Sequence, residues 1–240
     1  MNAVRLILSL MLSMLVSACA TPPAPVGSGD LGVVIERANG TVAVVNTSTQ
    51  AVLGEIAGLG DLSHASVVFS RDQAHAYVFG RDGGLTKVNV LTRQIEARTL
   101  QAGNSIGGAI SQDGKLVAAQ NYEPGGVKVF DAQALTLVAD IPAEYQPGKR
   151  SRVVGLADLP GHRFIFSLFD ADEIWMAELT DTRQPMVQKF KHIGHQPYDA
   201  LVTPDGRYYI AGLFGEDGLT LIDLWAPQPA VRRILQGYGK

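Results

Sequence analysis

Two residues suited to binding chemistry lie close together in the stretch LGDLSHASVVFSRDQAHAYVFGRDGG, residues 59–84. His64 begins an apolar run, and Arg81 lies in the glycine-rich turn that comes after the next apolar run. An imidazole titrates near neutral pH, and a guanidinium binds a carboxylate through two parallel hydrogen bonds. Each residue also fits an ordinary role, His64 as a hydrogen-bonded residue at a strand entry and Arg81 as a turn residue. The pair becomes informative only if the fold turns both side chains towards one ligand.

Familiar catalytic motifs are missing from the sequence. It has no nucleophile elbow, no paired histidines at zinc spacing, no Walker loop and no Rossmann fingerprint. Acidic residues near glycine, as in FGEDGLTLID, do not follow the spacing of a calcium loop. A site is therefore expected from residues that the fold gathers from separate segments.

The composition is that of a folded protein with a sizeable core. Of 240 residues, 46% are hydrophobic and 18% are charged, and 20 basic and 23 acidic side chains give a net charge of -3. This balance gives no excess of positive charge that would attract a nucleic-acid backbone or an anionic membrane surface. Nucleic acid is therefore not an expected partner.

The elements that must position the candidate residues are short strands in a repeat. Alternating apolar strands end in a polar, turn-opening residue at Asn46, Asn89, Asp131, Glu178 and Asp223, about 42 to 47 residues apart. Tight turns such as those in ISQDGKLVAAQ and TPDGRYYIAGL recur in phase with them. We therefore predict an all-β fold, a β-propeller of four-stranded blades. A two-sheet sandwich would not explain two markers that recur in phase.

The repeats divide residues 31–240 into about five blades. The first unit, residues 31–58, holds three strands, and the sequence stops just after the fourth strand of the last unit. Such a chain is either a small five-bladed ring or part of a longer one. We expect the second, a C-terminally incomplete propeller, because the opening strands would otherwise leave an unpaired edge.

Blade geometry sorts the polar residues by face. The loop that enters an innermost strand and the loop that joins the second and third strands open on the same face of a propeller. This face is the expected ligand site. It should gather the following side chains: His64, Asn104, Arg152, His192, His195, Tyr198 and Asp199 from entry loops, and Arg37, Arg81, Asp82, Asn121, Tyr122, Asp170, Asp172 and Glu216 from second-to-third-strand loops.

The N-terminal segment predicts export and lipidation. Residues 1–18 combine an early cation, a short apolar run and small residues, as in a signal peptide. The tripeptide VSA then precedes Cys19, the only cysteine, as in a lipobox, and residues 19–30 form a Pro/Gly/Ser tether. We expect a periplasmic protein anchored to the outer membrane by lipidated Cys19. The alternative is a plain secretory signal with an incidental cysteine.

The stretch LSHASVVFSRDQAHAYVFGRDGGLTKVNVL resembles the haem d1 domain of the dissimilatory cytochrome-type nitrite reductases, an eight-bladed propeller. In that family a histidine begins an innermost strand and a GRD turn follows. The likeness continues in LGVVIERANGTVAVVN, RVVGLADLPGHRFIFSL and PYDALVTPDGRYYIAG and covers essentially everything from Leu31 onward. Because the sequence lacks a CxxCH motif and carries a lipobox, it is similar to the lipoproteins of this family that serve haem d1 biosynthesis.

This resemblance implies roles for individual residues. His64 is implied as the iron ligand, a role that suits a neutral imidazole nitrogen. Arg37 and Arg81 are implied to bind peripheral carboxylates of the macrocycle with their planar forks. Asn121 and Arg152, which the blade geometry places at the same mouth, complete the expected cofactor-binding set.

Departures from the family pattern limit the expected chemistry. Tyr198 and Asp199 stand where the reductases have a histidine followed by an aspartate, and Gly107 stands where they have a further haem-binding arginine. Nitrite reduction is therefore not expected, whereas tetrapyrrole binding is. We predict binding and maturation of a late haem d1 precursor, in support of nitrite reductase and denitrification, with proton transfer from Tyr198, Asp199 or His195.

Two alternatives stay open at this point: a non-catalytic haem d1 carrier or chaperone, and a propeller used only as a protein-interaction scaffold. The expected partners are the haem d1 precursor, other periplasmic haem d1 maturation proteins and the nitrite reductase apoprotein. Membrane contact is expected through the lipid anchor alone. The sequence leaves open whether the protein is an enzyme and whether it forms a homo-oligomer.

Overall fold

The protein is all-β in a computed structural model that describes residues 27–181 and 184–239. A short 3-10 helix, Ser28–Asp30, precedes the first strand. None of the described residues form a helix long and apolar enough to cross a membrane. The predicted signal peptide, Cys19 and most of the predicted tether lie outside the described residues.

The strands form successive antiparallel meanders, which we number as blades 1 to 5 in chain order. Blade 1 has three strands in the described part of the chain, and each later blade has four. The strands of blades 1 to 3 are β1 (Leu31–Glu36), β2 (Thr41–Asn46), β3 (Ala51–Ile56), β4 (Ser66–Phe69), β5 (His75–Phe79), β6 (Gly84–Asn89), β7 (Gln94–Leu100), β8 (Asn104–Ile110), β9 (Leu116–Glu123), β10 (Gly126–Asp131) and β11 (Leu137–Ile141).

Along the chain, a small two-stranded sheet that the repeat pattern does not predict comes between blade 3 and blade 4. The remaining strands are β12 (Glu144–Gln146) and β13 (Lys149–Arg150) in that small sheet, β14 (Val153–Leu159), β15 (Arg163–Leu168), β16 (Glu173–Glu178) and β17 (Met186–Phe190) in blade 4, and β18 (Pro197–Val202), β19 (Tyr208–Leu213), β20 (Leu219–Asp223) and β21 (Ala230–Ile234) in blade 5. The predicted all-β propeller with four-stranded blades is confirmed.

The polar residues that recur in the sequence end one strand of each blade, the second strand of blade 1 and the third strand of each later blade. Asn46 ends β2 and accepts a hydrogen bond from the Thr49 backbone N–H at 2.8 Å. Asp131 ends β10 and accepts one from the Ala134 N–H at 2.7 Å. Short polar side chains of this kind accept hydrogen bonds from the first backbone N–H groups of a turn, which have no partner on a neighbouring strand. The spacing of these residues therefore marks the spacing of the blades.

Apolar side chains hold neighbouring blades face to face. Separate buried clusters lie between blades 1 and 2, 2 and 3, 3 and 4, and 4 and 5. Phe164 and Phe166 of β15, both fully buried, pack against blade 3 in one of these clusters. Full burial of one such side chain contributes roughly 1.5–3 kcal/mol. Packing between blades therefore fixes the position of each innermost strand.

The innermost strands β4, β8, β14 and β18 lie next to one another in that order. Three of them leave the regular ladder at one point. Ile106 of β8 has no ladder partner on β9, and a two-residue irregularity falls at Gly155 and Leu156 of β14. The third falls at Tyr198 and Asp199 of β18. A bulge re-aims side chains, so these three strands turn irregular backbone towards a common centre.

Candidate functional site

A cavity of about 320 Å³ lies where the innermost strands meet. It joins four of the residues predicted from the sequence: Arg37, His64, Tyr198 and Asp199. The other residues that line it are Ala65, Ser66, Ile106, Gly107, Gly108, Gln120, Gly155, Leu156 and Ala200. All three bulges contribute to this list. The cavity thus combines an imidazole, a guanidinium, a phenol and a carboxylate with bare backbone.

His64 and Arg37 both line the cavity, the first with an imidazole and the second with a guanidinium. His64 is half-buried and stands just ahead of β4, whose first residue is Ser66. Arg37 follows β1 of blade 1 and is exposed, and its Nη2 lies 3.5 Å from the backbone oxygen of Ala65. That contact is long for a hydrogen bond. The Arg37 guanidinium therefore stays available for an anionic group beside the His64 imidazole.

Tyr198 and Asp199 face the cavity from the bulge in β18. The Tyr198 hydroxyl lies 2.9 Å from the Tyr122 hydroxyl at the end of β9. The Tyr198 ring packs against Phe169 at 5.7 Å and against Phe214 at 5.6 Å between ring centroids. Burial, and after it the hydrogen bond with Tyr198, raises the pKa of Tyr122 above its ordinary value. Tyr122 is therefore a protonated partner for Tyr198 at neutral pH.

Arg152 lies behind this aromatic group rather than in the cavity. Its guanidinium binds Asp170 through two hydrogen bonds, at 2.5 and 3.0 Å, and its central carbon lies 4.4 Å from the centroid of the Phe169 ring. The hydrogen bonds to Asp170 raise the pKa of Arg152, and those from Arg152 lower the pKa of Asp170. Because its charge is already compensated, Arg152 supports Phe169 instead of lining the cavity.

Arg81 and Asn121 also lie outside the residues that line the cavity. Arg81 is exposed, and its backbone N–H donates to the Asp61 oxygen at 2.8 Å. The sequence predicts a loop at Asn121, but the structure places it inside β9 with 1% of its surface exposed. There its amide exchanges two hydrogen bonds with Gln101, at 2.8 and 3.0 Å. The structure therefore places Asn121 in a buried pair with Gln101 rather than at the cavity.

His195 lines a second, larger cavity of about 630 Å³ between blades 4 and 5. Its Nδ1 lies 3.2 Å from Asp172, and its backbone N–H donates to Glu216 at 2.5 Å. Glu216 in turn pairs with Arg233 at 3.1 Å. The structure therefore separates His195 from Tyr198 and Asp199, although all three were predicted to share one site.

Gln120 and Gly155 are cavity residues that the sequence argument missed. Side chains alternate along a strand, so of two neighbours on β9 Gln120 faces the cavity and Asn121 faces away. Gly155 has a φ of 60°, and a Cβ there would lie 2.6 Å from the Tyr198 backbone oxygen. Only glycine allows this approach of β14 to β18. The glycines in VVGLADL and NSIGGAI were the available signal.

The described residues do not assemble a metal site from their own side chains. Across the described residues, no group of three or more His, Cys, Asp or Glu side chains could hold a metal ion. His64 offers the cavity one imidazole. An iron atom held there would need its equatorial ligands from a macrocycle, as haem iron has.

Comparison with known proteins agrees with this geometry. Residues 26–240 match the family described as the Cytochrome D1 heme domain. The chain belongs to this family. Protein NirF of Stutzerimonas stutzeri is 61% identical over 228 residues, which cover 94% of this chain and 58% of that protein. Protein NirF of Pseudomonas aeruginosa is 60% identical over the same shares. The chain thus spans a little over half the length of these NirF relatives.

A solved structure of similar fold carries a bound ligand. The dihydro-heme d1 dehydrogenase NirN in complex with DHE matches this chain with a TM-score of 0.78 and 25% identity. The match covers 92% of this chain and 47% of the NirN chain. Together with the NirF relatives, membership of the Cytochrome D1 heme domain family supports a role in haem d1 biosynthesis or binding.

Proposed function

We propose that the protein binds a late haem d1 precursor in the 320 Å³ cavity and takes part in its maturation. The observation that carries the proposal is the convergence of Arg37, His64, Tyr198 and Asp199 on that cavity from blades 1, 2 and 5. The similarity to NirF supports the same conclusion. Nitrite reduction is not part of the proposal.

The residues of the cavity fit an iron tetrapyrrole. His64 would hold the iron through a ring nitrogen, and Arg37 would bind a peripheral carboxylate with its fork. At Gly107 a side chain would project between Ser66 and Gln120, so its absence keeps the floor of the cavity open. When bound, the iron tetrapyrrole supplies redox and Lewis-acid chemistry.

The protein's own contribution is orientation and proton transfer. Tyr198 carries a hydroxyl that Tyr122 fixes at 2.9 Å, and Asp199 places an exposed carboxylate beside it. A positioned phenol and carboxylate can give and take protons at the edge of a bound ring. In this proposal His195 takes no direct part, because it lines the other cavity.

An absorption titration with purified haem d1 tests the proposal. We expect the protein to change the Soret region on binding and His64→Ala to lose the iron-ligand part of that change. His162→Ala is the matched control, because His162 lies outside the cavity and pairs with Asp113 at 2.8 Å. No spectral change with the unaltered protein, or the same spectrum with His64→Ala, would reject the assigned roles.

The cellular setting is part of the proposal. We infer attachment to the outer membrane, facing the periplasm, through lipidated Cys19 of the lipobox. Other periplasmic haem d1 maturation proteins and the nitrite reductase apoprotein would be its partners there. Cell fractionation with Cys19→Ser tests this, since the variant should move from the outer-membrane fraction to the soluble periplasm. Equal membrane association of both proteins would contradict it.

A further inference from the structure

Gln120 holds the bulge in β14 from the neighbouring blade. The bulge leaves the Leu156 N–H without a partner on β15. The side chain of Gln120, on β9 of blade 3, supplies one, because its Oε1 accepts from the Leu156 N–H at 2.9 Å. A backbone N–H can only donate, so this bond sets the orientation of the amide. The other end of the amide, Nε2, is therefore turned away from Leu156.

The Nε2 group of Gln120 is a donor without an acceptor in the described protein. Gln120 is 8% exposed and lines the 320 Å³ cavity. Gly107 lies beside this donor, and a Cβ there would be 3.1 Å from Nε2 and 3.1 Å from Ser66 Oγ. The missing side chain of Gly107 therefore leaves room next to Nε2. The buried side-chain atoms without a partner in the described residues are Asn104 Oδ1 and Arg233 Nε, so Gln120 Nε2 instead reaches the surface of the cavity, where a ligand can meet it. The arrangement therefore points to an acceptor that arrives with a ligand.

Gln120 also holds a distinct position among the cavity residues. The described lining residues of blades 3 and 4 are Ile106, Gly107, Gly108, Gln120, Gly155 and Leu156. Gln120 is the polar side chain of this set. The Arg37 guanidinium and the His64 imidazole come from blades 1 and 2 instead. A ligand that fills the cavity would thus meet the Arg37 guanidinium at one side and a neutral donor at the other.

We propose that Gln120 donates from Nε2 to a peripheral oxygen of the bound tetrapyrrole, either a carboxylate or a ring carbonyl, and so selects ligands that carry one there. The proposal rests on the proposed function, since it uses the same cavity. Gly107 is the second component, because its missing side chain leaves the path to Nε2 open.

Two variants test Gln120 by different routes. Gln120→Glu keeps an acceptor for the Leu156 N–H but replaces the free donor with an acceptor. Gly107→Ala keeps Gln120 and places a methyl group between Nε2 and Ser66 Oγ. Gly103→Ala is the matched control, because its Cβ would make ordinary contacts at 3.7 Å or more with Glu123. Thermal unfolding of each variant shows that the fold is kept, and Gly107→Ala decides if Gln120→Glu is unstable.

The probes are haem d1, which carries carboxylates and ring carbonyls, and protohaem, which carries carboxylates alone. We expect both variants to weaken haem d1 binding by about tenfold, as for the loss of one good hydrogen bond. An equal loss with protohaem identifies the acceptor as a carboxylate, and a loss confined to haem d1 identifies a ring carbonyl.

The two failures are separable. If the unaltered protein binds haem d1 and both variants bind it equally well, the role of Gln120 is rejected and the proposed function stands. If the unaltered protein does not bind haem d1, the proposed function fails, and the role of Gln120 fails with it. A loss that Gly103→Ala shows to the same extent would also overturn the assignment.

Discussion

The hydroxyl of Tyr122 lies 2.9 Å from the hydroxyl of Tyr198, although the two residues are 76 positions apart in the chain. Tyr122 lies near the end of β9 in blade 3 and Tyr198 near the start of β18 in blade 5, so the bond bridges across blade 4. It holds a cavity residue by a group that lies two blades away in the chain. The Tyr122–Tyr198 hydrogen bond therefore connects the packing of the blades to the position of a residue that lines the cavity.

A double-mutant cycle measures this link. Tyr122→Phe and Tyr198→Phe should each destabilise the protein, and the double variant should cost less than their sum, because both single variants remove the same bond. We expect a coupling of about 1 kcal/mol, typical of one hydrogen bond between part-buried groups. Urea unfolding of the four proteins gives the value. Strictly additive losses would mean that the two hydroxyls do not interact in solution.

Tyr198→Phe and Asp199→Asn distinguish an enzyme from a carrier. If these residues transfer protons, the variants should keep haem d1 affinity while cofactor maturation falls by about 10²-fold or more. His195→Gln should leave maturation near its normal rate, because His195 lines the separate cavity. Affinity comes from the titration described above, and maturation from cofactor formed in cells. Variants that lose haem d1 affinity alone would favour the carrier.

The Arg152–Asp170 pair predicts a pH dependence of stability. Hydrogen bonds from Arg152 lower the pKa of Asp170 below its value in the unfolded chain, although burial opposes them. The pair therefore contributes fully above the unfolded pKa, about 3.9, and the contribution is lost as the pH falls through the folded value. Since the two side chains are 45% and 30% exposed, we expect Asp170→Asn to cost at most about 1 kcal/mol at pH 7.

Urea unfolding of Asp170→Asn and the unaltered protein from pH 7 to pH 2.5 checks this dependence. The difference between them should shrink as the pH drops below about 4. Asp140→Asn serves as the control, because Asp140 is exposed on β11. A difference that stays constant over the whole range would contradict an ionic origin.

Tyr209 is the buried support of the β14 bulge. Its hydroxyl donates to the Gly155 backbone oxygen at 2.8 Å and lies 2.9 Å from the Ser167 hydroxyl. Tyr209→Phe leaves both partners without this bond, so we expect a loss of about 1–3 kcal/mol in the free energy of unfolding. The neighbouring Tyr208→Phe should change it by less than about 0.5 kcal/mol, as for a surface substitution. Equal effects in denaturant unfolding would refute a specific role for Tyr209.

Local chemistry explains which parts of the fold could be predicted. Asn46 and Asp131 act on backbone groups two or three residues away, so their effect can be seen in any short stretch of sequence. Their regular recurrence predicts the blades and the face on which His64 and Tyr198 lie. The small β12–β13 sheet has no counterpart in the other repeats, so a periodic argument does not detect it.

The site was harder to predict, because strand register and partners far away in the sequence decide which candidate residues face the cavity. A shift of one residue in the register of β9 would decide whether Gln120 or Asn121 faces the cavity, and composition does not specify that register. Arg152 looks like a free cation in the sequence, but Asp170, 18 positions later, compensates its charge. The bulges that carry Tyr198 and Gly155 arise from packing between blades rather than from a local turn signal.

The bulge in β14 is held from both sides by other blades, Leu156 by Gln120 of blade 3 and Gly155 by Tyr209 of blade 5. A single strand that frays at its own edge cannot free these two backbone groups. The amide proton of Leu156 can exchange with solvent only after its hydrogen bond to the Gln120 side chain breaks. Its exchange rate thus reports, at one residue, how often this contact between blades 3 and 4 opens.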